Sequence, residues 1–226
     1  LEEIIVLFDR KTALVADIIC KLFGWTPSRV LVVGCGTGRE AAQLALSWNA
    51  QVTGIDLAPR FDPNAARCAT LLHGDATALD FPDGAFDFVY SYHALEHIPQ
   101  YRRALHEMQR VLAKDGRYCI GTPNRQRLVG YLGSENVTLG DKLRWNLVDW
   151  KARLRGKFRN EFGAHAGFTR SELRRELTEA LGPAVDITTS YYLRVYAQKQ
   201  KYVQWLETFR LASLLFPAVY FAGHRS

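Results

Sequence analysis

Three glycines, two carboxylates and two histidines are the residues of this sequence best placed to do chemistry. Gly34-Cys35-Gly36-Thr37-Gly38 stands between the apolar run Val30-Leu31-Val32-Val33 and a helix-forming stretch from Glu40 to Leu46. Glycine lets the main chain turn sharply and lets a ligand come close to it, and a following helix start offers free N–H groups. Asp56 closes the next run, Gln51-Val52-Thr53-Gly54-Ile55. A carboxylate there can accept both hydroxyls of a ribose lying across the strand ends, where ligands bind in open α/β sheets. Asp75, in His73-Gly74-Asp75-Ala76, ends a third run and can take an adenine amino group. His93 and His97 follow a fourth, Phe86-Asp87-Phe88-Val89-Tyr90, where an imidazole can accept a proton near neutral pH. Each has a plain structural alternative: a tight turn for the glycines, a turn cap for Asp75, helix packing for the histidines. As a set they suit a nucleoside-bearing cofactor.

Two other glycine-loop chemistries fit less well. A dinucleotide fingerprint needs G-x-G-x-x-G, and the residue directly after Gly38 is Arg39, too bulky for the close helix–sheet approach such a site requires. A P-loop needs Gly-Lys-Ser/Thr, which is missing from the loop.

The elements that must hold these residues alternate. Residues 1 to 23 carry an apolar stripe of helical period, broken at Gly24-Trp25-Thr26-Pro27. The runs at 30–33 and 51–55, one ending near His73, those at 86–90 and 117–120, and the helix at about 101–112 give βαβ units and a doubly wound α/β sheet. Lys114-Asp115-Gly116 reads as a turn. Residues 124–165 are basic and aromatic and read as a helical insertion that covers a substrate pocket. Thr169 with Glu172 spells a capping box. Val185–Val195 reads as a strand, 199–215 as one helix and Ala218–Ala222 as a final strand.

The segments Val30–Gly38, Val52–Asp56, Gly74-Asp75-Ala76, Phe81–Tyr90, His93–Ile98 and Val111–Arg117 resemble class I S-adenosylmethionine-dependent methyltransferases, most closely the small-molecule enzymes of ubiquinone and menaquinone biosynthesis type. The resemblance is strong over residues 30–123 and weaker through His165–Thr169. It implies one domain over residues 1–226, a Rossmann-like sheet of seven mostly parallel strands with the last antiparallel, and S-adenosyl-L-methionine as cofactor. By the same resemblance Gly34, Cys35, Gly36, Thr37 and Gly38 hold the methionine end, Asp56 binds the ribose and Leu57 flanks the adenine. Asp75 and the Ala76 N–H bind adenine, and Tyr92 closes over the methionine side. Val32 departs from the family, which often has an acid there. His93 is the first candidate for a catalytic base, ahead of His97. His165 and Trp145 are candidate substrate contacts. On a helix, His93-x-x-Glu96-His97 would set two imidazoles on one face, as zinc sites do, and the E-x-x-E-H metal motif of some quinone and RNA 2′-O-methyltransferases is matched only in part; no metal is expected.

Composition bounds the rest. The 226 residues are 48% hydrophobic, enough for one sizeable core and too many for a disordered chain. A net charge of +6 is too small to argue a nucleic-acid partner by itself. Cys20, Cys35, Cys68 and Cys119 form no C-x-x-C pair, which favours a reducing cytoplasm over a disulfide framework. No apolar run reaches the ~20 residues of a membrane span. The expected reaction is methyl transfer to a small-molecule acceptor, aromatic, acidic or lipid-like, most simply at oxygen. The alternatives are cofactor binding without turnover, RNA methylation through the basic insertion, and an NAD-dependent oxidoreductase.

Overall fold

The computed structural model describes residues 8–58, 60–131, 137–162 and 164–226. Helix α1 spans Arg10–Phe23, with Asp9 as its N-cap accepting from the Lys11 and Thr12 N–H groups and Gly24 ending it at φ 59°. Residues 1–7, read above as the start of this helix, lie outside the described residues. β1 (Arg29–Val33) is buried at four of its five positions, so it lacks the in-out alternation of a half-exposed strand. It is followed by α2 (Arg39–Trp48), β2 (Gln51–Asp56), β3 (Thr70–His73), β4 (Phe86–Tyr92), α3 (Tyr101–Val111) and β5 (Leu112–Pro123). Then come α4 (Leu139–Leu154), α5 (Arg170–Ala180), β6 (Ala184–Asp186), α6 (Thr188–Val195), α7 (Gln200–Thr208), α8 (Ala212–Leu215) and β7 (Ala218–His224).

The strands form one sheet in the order β3-β2-β1-β4-β5-β7-β6. All pairings are parallel except those of β7, which runs antiparallel to both β5 and β6. The seven-stranded, doubly wound sheet with its reversed last strand is therefore as expected. Helices cover both faces. Val15, Ile19, Leu44, Trp48, Tyr191, Tyr192 and Leu206 pack on one, and Leu105, Met108, Leu173 and Leu177 on the other. The chain leaves β1 toward β2 on one side and β4 on the other, so a crevice opens at the carboxyl ends of β1 and β4.

Four expectations need correction. Only Val185 and Asp186 of the segment Val185–Val195 lie in a strand, β6; the rest is α6 and its N-cap Ile187. Thr188 starts that helix because Asp186 Oδ1 accepts its N–H at 2.9 Å and its hydroxyl is engaged with the Tyr220 main chain, which turns the chain out of the sheet. The helix expected over 199–215 is broken between α7 and α8, where Arg210 takes φ 58°. Lys114-Asp115-Gly116 is a bulge inside β5: Phe86 pairs with Leu112, yet Phe88 pairs with Arg117. The segment 93–97 is no continuous helix, because His93 sits at φ 53° and only Leu95–His97 form a 3₁₀ turn. The capping box is present, with Thr169 and Glu172 each accepting the other's N–H. Among the described residues no helix is long and apolar enough to cross a membrane.

Candidate active site

The glycine loop is pinned to β2 from below and open above. The N–H groups of Gly34 and Cys35 both donate to the Ile55 carbonyl at 2.9 Å. Gly34 has φ 76°, and a Cβ added to it would come within 2.3 Å of the Ala94 Cβ. Only glycine allows the loop after β4 to approach this closely. Gly36 is the opposite case: at φ 52° a Cβ there would meet nothing within 4 Å, so the open side of the loop is bare main chain. Its N–H donates to Asp56 Oδ2 at 2.8 Å. Gly38 stands at the N-cap of α2 without a capping side chain. Thr37 lends its carbonyl to the Asp62 N–H at 2.8 Å. The Cys35 thiol is buried, and burial together with the Asp56 carboxylate pushes its pKa up to about 12, so it is neutral and unreactive at pH 7.

A cavity of about 440 Å³ opens beside this loop. Val33, Gly34, Ile55, Asp56, Leu57 and the run from Gly74 to Thr77 line one side. His93, Ala94, His97 and the run Ile98-Pro99-Gln100 line the other. Each Asp56 oxygen accepts one backbone N–H, from Gly36 and Ala58, which leaves lone pairs for two further donors. Asp75 Oδ1 takes the N–H and hydroxyl of Thr77, both at 2.8 Å, and these bonds lower its pKa. The turn-capping role is thus real, and among the described residues no hydrogen bond reaches Oδ2. A nucleoside fits this donor set: a paired acceptor at Asp56, an acceptor and the Ala76 backbone at the β3 end, an exposed Leu57, and a bare loop between them.

The opposite wall is a cluster of titratable groups. Glu96 is fully buried, neither carboxyl oxygen has a hydrogen-bond partner, and two imidazoles stand near it: His93 Nδ1 at 3.6 Å and His97 Nε2 at 3.8 Å from Oε1. Burial pushes Glu96 up to about 7. His93, half-exposed, is pushed down to about 3 by desolvation and by the positive or potentially positive groups Arg127, His97, His165 and Lys11. His97 is lowered by burial and by His165. Both imidazoles are therefore neutral at pH 7. His165 is brought to the site: its ring lies 4.6 Å from that of His97, edge to face.

Other expected residues stand further off. Tyr92 does not line the cavity; its ring stacks on Tyr220 at 5.0 Å and meets His93 edge-on at 4.0 Å. Trp145 packs on Tyr131 at 5.1 Å, away from the cavity. The insertion borders a second, polar cavity of about 570 Å³ through Arg125, Asn160, Glu161 and Ala164, and this cavity shares His97, Ile98 and Pro99 with the first. Arg127 ties the insertion down: it is buried, pairs with Asp149 at 3.3 Å and donates to the carbonyls of Asn124, Ala166 and His165. The sequence reading passed over Glu96 as a site residue, although His93-x-x-Glu96-His97 marked it, and passed over Ile98-Pro99-Gln100 and Arg127, which carry no comparable signal.

Val32 is wholly buried in the core, so no side chain there reaches the loop. The neighbouring acids are Glu40, in the first turn of α2, and Asp9. Burial, with Asp9 as a like charge, pushes Glu40 up to about 8.

Residues 31–120 match the family model described as a methyltransferase domain. Over 102 residues the chain is 39% identical to the demethylmenaquinone methyltransferase of Thermus thermophilus, covering 42% of this chain and 46% of that protein. Over 103 residues it is 36% identical to the chloroplastic tocopherol O-methyltransferase of Arabidopsis thaliana, covering 42% and 30%. The matched stretch spans 29% to 53% of the length of the first such relatives. The fold is shared with the YcgJ protein of Bacillus subtilis (TM-score 0.56, 19% identity, 94% of this chain and 97% of that one). It is also shared with a phosphoethanolamine N-methyltransferase of Haemonchus contortus solved with S-adenosylhomocysteine (TM-score 0.58, 18% identity, 93% and 52%). Residues 31–120 are thus similar to a methyltransferase domain, and the chain shares its fold with solved methyltransferases.

Proposed function

We propose that this protein transfers a methyl group from S-adenosylmethionine to an oxygen of a small, lipophilic aromatic acceptor such as a phenol or hydroquinone. The observation that carries the reading is the shared cavity: Gly34 of the glycine loop, Asp56 and Asp75 on one wall, and His93 and His97, with Glu96 buried beside them, on the other. Relatives named for demethylmenaquinone and tocopherol support the acceptor class.

When bound, the cofactor supplies a methyl group already activated on a sulfonium, so the chain's task is to align, to exclude water and to handle one proton. Asp56 takes the ribose hydroxyls, with Leu57 beside the base and Asp75 Oδ2 and the Ala76 N–H at its edge. Gly34, Cys35, Gly36, Thr37 and Gly38 give the methionine end a surface without side chains in its way. With Val32 buried, carbonyls of the glycine loop take the methionine amino group. Tyr92 serves as backing for His93. His93 is neutral at pH 7, so its free nitrogen can accept the acceptor's hydroxyl proton. Ionised Glu96 favours the tautomer with the proton on Nδ1 and leaves Nε2 as the acceptor; protonated Glu96 favours the reverse. His97 and His165 border the acceptor end, and the insertion 124–165 selects the acceptor from the second cavity. The reducing cytoplasm fits four cysteines that are all free thiols.

The test is calorimetric titration with S-adenosylhomocysteine. Asp56→Ala removes a charged acceptor of the ribose hydroxyls, worth about 1.5–3 kcal/mol, or roughly 10- to 150-fold in Kd. Unchanged affinity, or binding of NAD in its place, overturns the reading. A labelled-methyl screen of phenols and hydroquinones then tests the acceptor class.

A further inference from the structure

Helix α4 is mounted with its polar side inward. Asn146 is buried, accepting the Gly130 N–H at 2.7 Å and donating to the carbonyls of Gly130 and Lys142. Asp149 holds Arg127 and the Tyr131 hydroxyl. Arg153 donates to the Arg127 carbonyl, and its guanidinium lies 3.9 Å from the centre of the Phe158 ring. The leucines are left outside: Leu139 is 79% exposed, Leu143 72%, Leu147 48% and Leu154 90%. Steps of four, four and seven residues put them on one stripe, and Trp150, 44% exposed, falls within it. Hydrogen bonds extend the patch beyond the helix: Trp150 Nε1 donates to the Leu128 carbonyl at 2.6 Å and Leu128 N–H to that of Leu214 at 2.7 Å, and both leucines are exposed.

A basic row runs beside the stripe. Arg144, Lys151 and Arg155 follow one another at steps of seven and four, all exposed, and none is paired with a carboxylate among the described residues. Exposed Lys157 and Arg159 continue it. The helix's own acids are engaged elsewhere, Asp141 with Thr138 and Asp149 with Arg127. A leucine stripe with a cationic flank is the pattern of a helix lying in a lipid–water interface. At ~1.5 Å per residue the helix is about 24 Å long, so it lies along such a surface and does not cross it. Two copies of this face would bring like charges together, which opposes self-association. A nucleic acid would use the basic row and leave the leucines in water.

We propose that the outward face of α4 docks on an anionic bilayer, its leucines entering the acyl boundary and Arg144, Lys151 and Arg155 meeting lipid phosphates. The proposal stands on this helix alone and does not depend on methyl transfer. It is tested by sedimenting the 226-residue chain with vesicles of phosphatidylcholine containing about 30% phosphatidylglycerol, at about 0.1 M salt, against phosphatidylcholine alone. The anionic vesicles are expected to bind at least tenfold more tightly. Combined R144E, K151E and R155E should weaken binding by at least a hundredfold, since each cation lost costs roughly fivefold and the added carboxylates are repelled besides. Combined L139S, L143S and L154S should weaken it at least tenfold, with the circular dichroism spectrum unchanged, because these three side chains are the most exposed of the stripe. Leu154→Ser alone, at the most exposed position, gives a smaller loss in the same direction should the triple variant misfold. Absence of binding at millimolar lipid, or leucine variants that bind as the parent does, overturns the proposal. So does a dimer at micromolar concentration that the leucine substitutions dissociate, or RNA binding as tight as vesicle binding and indifferent to the leucines.

Discussion

Glu96 offers a test that needs neither cofactor nor acceptor. Its side chain has no exposed surface and no hydrogen-bond partner, and burial lifts its pKa from 4.5 to about 7. The folded chain then holds this proton more tightly than the unfolded chain. The resulting stabilisation is fully present below pH 4.5, is lost as pH rises to about 7, and stays lost above. At about 1.4 kcal/mol per pH unit the total is about 3 kcal/mol. Glu96→Gln cannot ionise, and whatever its amide costs in an unpartnered site is the same at every pH. Urea unfolding of both proteins at pH 4.5, 6, 7 and 8 isolates the term, because other titrating groups, Glu40 among them, cancel in the difference. Relative to the parent, the variant should gain about 3 kcal/mol between pH 4.5 and pH 8. A difference that does not change with pH would mean that Glu96 finds a charge partner or water in solution, and the tautomer argument for His93 would fall with it.

The other predictions concern the loop, the base and a cap. His93→Ala should lower kcat for a phenolic acceptor by about 10²–10⁴-fold and leave S-adenosylhomocysteine affinity within twofold, read by steady-state kinetics and calorimetry. The kcat/KM of the parent should rise with pH through about 7 as Glu96 ionises, and Glu96→Gln should flatten that limb. Gly34→Ala forces a Cβ to 2.3 Å from Ala94 at a positive φ, and a loss of about 2 kcal/mol or more is expected in denaturant unfolding. Thr169→Ala removes one half of the capping box and should cost about 1 kcal/mol with no effect on cofactor affinity.

What was legible in the sequence was local. β1 and β2 are short runs rich in β-branched residues and β4 is an aromatic one, and their ends, with the turns after them and after β3, carry Gly34, Asp56, His93 and Asp75, which line one cavity. The segment 185–195 misled because Thr188, Thr189, Tyr191, Tyr192 and Val195 all favour strands, while the actual course is set by distant partners on β7. The spacing of His93 and His97 would put them on one face only if the segment were a helix; the left-handed turn at His93 arises where its N–H reaches across to the Gly121 carbonyl at 3.0 Å. Arg127 was indistinguishable from its basic neighbours, since burial against Asp149 and three carbonyls is a tertiary fact. The apolar outer stripe of α4 was equally hidden, because periodicity shows that a helix has two sides and not which one the protein keeps.

The place of β7 between β5 and β6 bears on how the nascent chain acquires its shape. Strands β1 to β5 can assemble from residues 29–123 and leave the flank of β5, with buried Tyr118, Cys119 and Ile120, without a neighbour. The ladder that covers it runs from Arg117–His224 to Pro123–Ala218 and waits for about a hundred more residues to be synthesised. Until then that flank is a template for another molecule's strand, so a ribosome stalled before residue 218 would release a sticky, aggregation-prone fragment.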